Sequence, residues 1–186
     1  MAPPDIAPRR ENQLLYWACA LAALGGLTWF FGGLVNERAN PNRDVAARVS
    51  ASGASEIALE QNRQGHYVAS GTINGTPVVF LLDTGATDVS VPAHLAERAG
   101  LRPGPTLRVT TANGDIDVYA TRIPSLDIAG LRLENVAASI NPHMAGDEVL
   151  LGMSALRALH MTQADGVLTI RAPDGAEAGD PGSRIP

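Results

Sequence analysis

Lysine is absent from this chain, cysteine occurs once, and aromatic residues make up only 4% of it. Fourteen arginines carry the positive charge against nineteen acidic residues, which leaves a formal net charge of −5 over 186 residues. An acidic chain of this kind lacks the basic surface by which proteins bind nucleic acid or an anionic membrane surface. The single cysteine, Cys19, excludes an intrachain disulfide and a cysteine-based metal site. The four histidines have no metal-ligand spacing, so we expect neither a metal nor another cofactor.

Charged residues are also missing from the whole segment 14–35. As a helix this segment would be about 33 Å long, enough to cross a hydrocarbon core of about 30 Å. No small-x-small cleavage site follows it, so the segment is predicted to be an uncleaved transmembrane anchor rather than a signal peptide. Two arginines precede the span and three follow it, so the count of positive charges does not set its orientation.

The most informative motif begins where five apolar residues, 78–82, run directly into Asp83-Thr84-Gly85-Ala86. A continuous apolar run of this length predicts a strand that is buried on both faces. Asp83 would then emerge where the strand leaves the core, partly desolvated and suited to act as an acid or a base. Asp and Gly are also favoured turn residues, so an ordinary turn after a strand is the alternative at this point.

A second motif, Thr111-Ala112-Asn113-Gly114, lies between two strand-like runs. Asn-Gly between such runs is a strong signal for a tight hairpin turn. The segment is therefore predicted to form a projecting β-hairpin.

A third motif is the apolar run that ends in Leu151-Gly152-Met153. Together the three motifs resemble those of the retropepsin-like (retroviral-protease-like) aspartic proteases. The forms Thr-Ala-Asn-Gly and Leu-Leu-Gly-Met are most similar to the bacterial, membrane-anchored branch of that family. In this family two aspartates face each other, share a proton and hold the water that attacks the peptide carbonyl. The chain has no second Asp-Thr-Gly or Asp-Ser-Gly, so the resemblance implies a homodimer that completes the pair.

The resemblance also implies a role for each residue of these motifs. Asp83 would be the catalytic residue, and Thr84, Gly85 and Ala86 would form the active-site loop around it. Residues Thr111, Ala112, Asn113 and Gly114 would form the flap that closes over bound peptide. Leu151 and Gly152 would support the catalytic loop from beneath, and Asp88 is a candidate contact to the substrate backbone.

The chain departs from the viral members of the family at two places. Those enzymes carry an acidic residue four places after the catalytic aspartate and an arginine directly after the last glycine, where this chain has Thr87 and Met153. Because both partners of the ion pair are replaced together, no charge is left unpaired. The pattern therefore indicates a divergent branch rather than a broken site.

The predicted domain organisation has five parts. These are an N-terminal tail at 1–13, the transmembrane helix at 14–35, a linker at 36–62, a retropepsin-like domain at 63–171 and a disordered tail at 172–186. The domain is predicted to be mainly β and closed like a barrel, because it contains many short, turn-bounded runs. The predicted strands are 67–73, 77–82, 89–91, 107–111, 115–123, 126–128, 131–133, 136–140 and 167–171.

One or two short helices complete the predicted domain. The first covers 93–99 and ends at Gly100, a residue that suits the position after a helix. The second covers 154–159 with Ser154 as its N-cap. Ile123, Met144 and Val149 are offered as residues of the substrate pockets.

We expect a membrane-anchored aspartic endopeptidase that acts on a protein or peptide substrate. The expected location is the bacterial inner membrane, with one membrane pass and the protease domain in the periplasm. One alternative is a catalytically silent module of the same fold that dimerises or binds peptide. A phosphoryl-transfer role through an aspartyl phosphate would require an Asp-Lys-Thr-Gly-Thr motif, whose lysine this chain lacks.

Overall fold

The computed structural model describes residues 17, 20, 21, 24, 40–49, 54–111 and 114–172. The chain divides into two compact units, Met1–Arg38 and Ala39–Pro186. In the first unit the four described residues are helical and exposed. Among all the residues described, no helix has both the length and the apolar character needed to cross a bilayer. Most of the predicted transmembrane segment, the tail at 1–13 and nearly all of the tail at 172–186 lie outside the described residues.

The second unit is mainly β, as predicted, and its described part has eleven strands and two short helices. The strands are β1 (Arg48–Val49), β2 (Ser55–Glu60), β3 (Val68–Ile73), β4 (Thr76–Leu82), β5 (Val89–Pro92), β6 (Thr106–Thr111), β7 (Gly114–Ile128), β8 (Leu131–Asn141), β9 (Glu148–Leu151), β10 (His160–Ala164) and β11 (Val167–Arg171). The helices are α1 (Ala93–Arg98) and α2 (Met153–Leu156).

Six strands form a closed barrel in the order β3-β4-β9-β5-β8-β7. The barrel closes because β3 pairs with β7 as well as with β4, through the register Gly71↔Ile128 to Ile73↔Leu126. Strand β6 pairs only with β7 and extends from the barrel as one arm of a hairpin. The predicted closed β architecture is confirmed, and closure removes the free sheet edges that would otherwise invite aggregation.

The inward-facing side chains fill the barrel. Phe80, Ile123, Leu126, Ile128 and Leu151 are all fully buried. On β4 the alternation is clear, since Val78 and Phe80 are buried while Val79 and Leu81 are partly exposed. The prediction that this strand is buried on both faces is therefore wrong, because the outer face of a barrel strand is only partly covered.

The predicted linker at 36–62 is also corrected, because it contains two strands and part of the core. In β2 the side chains of Ile57 and Leu59 are 1% and 0% exposed. Farther upstream, the Asn42 amide donates to the Glu60 and Val68 carbonyls at 2.9 and 2.7 Å and so joins β2 to β3. The alternating Ile57 and Leu59 were a signal for this strand, but the flanking glutamates and the alanine between them have low strand propensity and obscured it.

A second sheet has the order β1-β2-β11-β10. Strand β11 occupies the predicted residues, whereas β10 follows α2 directly and was missed because its sequence, His-Met-Thr-Gln-Ala, has no apolar alternation. The sequence showed residues 148–151 only as part of an apolar motif, and the structure makes them a four-residue strand, β9.

Two local sequence signals, the Asn-Gly pair after β3 and the glycine after α1, lie where the structure has a turn and a helix end. The start of the second helix differs from the predicted one. Asn74 and Gly75, with φ of 50° and 80°, form the tight turn between β3 and β4, and Gly100 follows α1 with φ of 67°. The second helix begins one residue earlier than predicted, with Gly152 as its N-cap. Ser154 is therefore not the cap, and its hydroxyl is used elsewhere.

Candidate active site

Asp83 lies immediately beyond the end of β4, in a tight loop. Its N–H donates to the Leu151 carbonyl at 3.1 Å, which continues the parallel pairing of β4 with β9 by one residue. The Ala86 N–H then donates to the Asp83 carbonyl at 3.2 Å and closes the turn. Asp83 is half-buried, whereas Thr84 and Gly85 are exposed. The carboxylate therefore sits at the rim of the core, where the sequence predicted it.

Gly85 lies against the Asp83 carboxylate. The Gly85 N–H donates to Asp83 Oδ1 at 2.9 Å, and a Cβ at position 85 would lie only 3.1 Å from the same oxygen. Glycine thus allows the amide to approach the carboxylate without crowding it. This hydrogen bond fixes the orientation of the Asp83 side chain.

Gly152 supports the loop from beneath. A Cβ at this position would lie 2.7 Å from the Ala86 carbonyl oxygen and closer still to that of Asp88. The two residues that follow donate backbone hydrogen bonds to the loop, Met153 N–H to Ala86 at 2.8 Å and Ser154 N–H to Thr87 at 2.9 Å. The loop and the start of α2 are therefore in direct backbone contact.

The Ser154 hydroxyl adds two further hydrogen bonds. Its oxygen accepts from the Val89 N–H at 3.0 Å, and the hydroxyl donates to the Ala137 carbonyl at 2.7 Å. Ser154 thus connects the end of the Asp83 loop with β8. Sequence reasoning missed these contacts because Ser154 was interpreted as a helix cap.

Asp88 is the other candidate contact of the loop. It is half-buried and, within the described part of the chain, forms no ion pair. Two of the three proposed pocket residues are corrected, since Ile123 and Val149 are 0% exposed and belong to the core. The third, Met144, accepts a hydrogen bond from Ser90 Oγ at 3.4 Å.

The sequence did not predict one polar pair that joins α1 to the start of β9. His94 Nε2 on α1 lies 2.8 Å from Asp147 Oδ1, just before β9. Both side chains are exposed. Their separation of 53 residues in sequence gave no signal of the contact.

The predicted hairpin is formed by β6 and β7, whose register runs from Thr106↔Tyr119 to Thr111↔Gly114. The Thr110 hydroxyl donates to Asp115 Oδ1 and the Thr111 hydroxyl to the Gly114 carbonyl, both at 2.8 Å. Thr111↔Gly114 is the last residue pair of this register. Ala112 and Asn113 themselves lie outside the described residues.

A cavity of about 390 Å³ adjoins Asp83 and Thr84. Its other lining residues are Tyr67, Leu82, Leu156, Met161, Gln163 and Leu168. The Tyr67 hydroxyl is buried and has no hydrogen-bond partner among the described residues. Within those residues there is also no cluster of three or more side chains suited to hold a metal ion.

Three comparisons bear on this arrangement. Residues 69–158 match the family model of the gag-polyprotein putative aspartyl proteases. A crystal structure of a retropepsin-like aspartic protease from Rickettsia conorii matches with a TM-score of 0.54 and 24% identity, covering 69% of this chain and 95% of that one. A Sinorhizobium protein described as an uncharacterized protein in the cobV 5′ region is 30% identical over 116 residues. That alignment covers 61% of this chain, and the chain spans about half the length of this curated relative.

Proposed function

Because this chain has the retropepsin-like fold, we propose that it is an aspartic endopeptidase whose active site is formed by two copies of the chain. The observation that carries the proposal is the Asp83 loop. It presents one accessible carboxylate, oriented by the Gly85 amide and supported by Gly152. The sequence supplies one such loop per chain, so a second copy is needed for a pair of aspartates.

In the proposed reaction the two Asp83 side chains share one proton. The ionised carboxylate takes a proton from a bound water, whose oxygen attacks the carbonyl carbon of the peptide bond. The protonated Asp83 donates its proton to the carbonyl oxygen, which gives a neutral tetrahedral intermediate. The Asp83 that took the proton of the water then gives it to the amide nitrogen, and the C–N bond breaks. A hydroxyl of the intermediate returns a proton to the pair as the new carboxyl group forms, so that one proton is again shared.

The β6–β7 hairpin is the proposed flap. Its residues Thr106–Thr111 are exposed or partly exposed, so backbone groups at the hairpin are accessible to an extended peptide. A peptide bound in that form is held by strand-like hydrogen bonds, largely independently of its sequence. Asp88, which lacks an ion-pair partner, is the candidate polar contact from the catalytic loop.

We further propose that residues 14–35 anchor the enzyme in a bacterial inner membrane by a single helix, with the protease domain in the periplasm. The support is the uncharged 22-residue segment and the similarity to membrane-anchored members of the family. Confinement to one membrane would raise the effective concentration of the two half-sites. Anchoring would therefore favour the active dimer.

The test is cleavage of an unstructured protein by the full chain in detergent, with Asp83→Asn beside the wild type. Because the two copies are identical, the substitution removes both carboxylates of the pair, and the rate should fall by at least about 10²- to 10⁴-fold. Asp44→Asn is the matched control, because Asp44 is exposed and forms no ion pair within the described residues. Equal activity of wild type and Asp83→Asn would contradict the proposal. An inactive but folded wild type would favour the silent, peptide-binding or dimerising alternative.

A further inference from the structure

A second cavity, of about 300 Å³, is lined by residues of β7, β8 and α2. It shares no lining residue with the cavity beside Asp83. Its volume is at the lower end of the range of about 300–1,000 Å³ that is typical of small-molecule pockets. The cavity therefore has room for a small molecule at a place that the proposed peptidase reaction does not use.

Two arginines from different elements meet at this cavity. Arg122 belongs to β7, and Arg157 follows directly after the last residue of α2. Both side chains are exposed, and neither forms an ion pair within the described part of the chain. Two like charges at one cavity repel each other, and an anion bound between them replaces that repulsion with attraction.

Each guanidinium group is oriented by a backbone carbonyl. Arg122 Nη1 donates to the Asn135 carbonyl, and Arg157 Nε donates to the Met153 carbonyl at 3.0 Å. Hydrogen bonding to the last carbonyls of a helix is an ordinary use of a basic residue, and it occupies only the Nε of Arg157. Because a guanidinium has five N–H donors, both arginines keep donors for a ligand. Their planar fork matches the oxygens of a carboxylate or a phosphate.

The rest of the lining combines apolar surface with one acidic group. Val136 and Ala155 are buried and Leu133 is partly buried, so these residues offer apolar contacts. Glu134 also lines the cavity, and its Oε1 lies 3.7 Å from Arg132 Nε, which offsets its charge. The site is therefore cationic at the two arginines and apolar between the strand and the helix.

We infer that this cavity binds a small molecule that carries a phosphate or carboxylate group on an apolar body. Arg122 and Arg157 hold the oxyanion, and the apolar body packs against Leu133, Val136 and Ala155. Such a site does not depend on the proposed peptidase activity. It nevertheless adjoins the support of the Asp83 loop, because Met153 accepts from Arg157 and donates to the Ala86 carbonyl.

The test is thermal unfolding of the full chain in a non-ionic detergent with phenyl phosphate or benzoate. Sodium chloride at the same ionic strength is the reference, because salt alone screens exposed charges. We expect the unfolding midpoint to rise by about a few degrees once a ligand exceeds its Kd about tenfold. The two probes share an aromatic ring and differ in the oxyanion, so the larger rise identifies the group that the site prefers.

Arg122→Gln and Arg157→Gln each remove one of the two cations. Isothermal titration calorimetry should show a Kd at least about tenfold weaker for either variant, since each loses charged hydrogen bonds to the oxyanion. Arg63→Gln is the matched control, because Arg63 is exposed, lines neither cavity and forms no ion pair within the described residues.

A conservative variant keeps the test valid if a glutamine variant does not fold, which circular dichroism shows. Arg157→Lys retains the charge and lacks the planar fork. We expect its affinity for the preferred probe to be lower than that of the wild type and higher than that of Arg157→Gln.

Two results would overturn the inference. One is an unfolding midpoint that neither probe raises above the sodium chloride reference. The other is an equal Kd for Arg122→Gln, Arg157→Gln and Arg63→Gln, which would place the bound probe elsewhere. Arginine-dependent binding by a folded chain that cleaves no peptide would support this site and contradict the endopeptidase proposal.

Discussion

The Ser154 hydroxyl accepts a hydrogen bond from the Val89 N–H at 3.0 Å, across 65 residues of sequence. Val89 is fully buried at the start of β5, directly after the Asp83 loop, so its amide has no access to solvent. The same hydroxyl donates to the Ala137 carbonyl on β8. One side chain thereby positions the end of the Asp83 loop relative to the barrel.

Ser154→Ala should therefore weaken both stability and catalysis. The variant leaves the buried Val89 amide unsatisfied, which costs about 1–3 kcal/mol in the free energy of unfolding. We expect a fall in kcat with little change in KM, because the loop, not the substrate contacts, is altered. Urea denaturation measures the first effect and steady-state kinetics the second. A stability loss without any change in kcat would show that Ser154 does not position the loop.

Gly152→Ala should displace the catalytic loop or prevent folding. The added Cβ would lie 2.7 Å from the Ala86 carbonyl oxygen, a backbone atom that a hydrogen bond from the Met153 N–H holds in place. Gly146→Ala is the control, because a Cβ there meets nothing within 4 Å. The measurements are thermal unfolding and peptidase activity. Equal values for the two variants would contradict the close contact of Gly152 with the loop.

Gly85→Ala should affect activity more than stability. A Cβ at this position would lie 3.1 Å from Asp83 Oδ1, so the carboxylate must shift by a few tenths of an ångström. The loop is exposed here, and the backbone does not have a positive φ that would strain alanine. We expect the unfolding midpoint to stay close to that of the wild type while kcat falls. Unchanged kcat would indicate that the Gly85 amide does not orient the carboxylate.

Tyr67→Phe should leave the stability of the isolated chain unchanged or raise it slightly. The substitution removes a buried hydroxyl that has no hydrogen-bond partner among the described residues, and an unsatisfied buried group costs about 1–3 kcal/mol. Urea denaturation at low protein concentration is the measurement. A clear loss of stability would show that the hydroxyl has a partner in solution.

The pH profile of kcat/KM should be bell-shaped with an acidic optimum. In the proposed dimer the pair of Asp83 side chains is active only while it holds one proton, so activity should fall when the second proton is added at low pH and when the last is lost at high pH. The measurement covers about pH 3 to pH 8, and the two apparent values belong to the pair rather than to either residue. Activity that rises steadily to neutral pH would contradict a shared proton.

Local sequence signals determined the parts of this protein that depend on neighbours along the chain. Asn74-Gly75 specified its turn because few residues adopt positive φ, and the apolar run before Asp83 placed the carboxylate at a strand end. The retropepsin-like fold could be recognised from three such motifs. The Asn-Gly signal likewise predicted a hairpin, and the pairing of Thr106–Thr111 with residues up to Tyr119 sets its register.

Tertiary structure decided what depends on distant partners. Ile57 and Leu59 are core residues only because β11 lies beside β2, more than 100 residues along the chain. Strand β10, polar in sequence, is a strand because β11 supplies its hydrogen bonds. Ser154 was read as a helix cap because that is its commonest local use, and only the approach of Val89 and Ala137 gives its hydroxyl another role. A hydrogen bond or a packed apolar face needs a second group close by in space. The spacing of residues along the sequence does not show which distant residue the fold brings there.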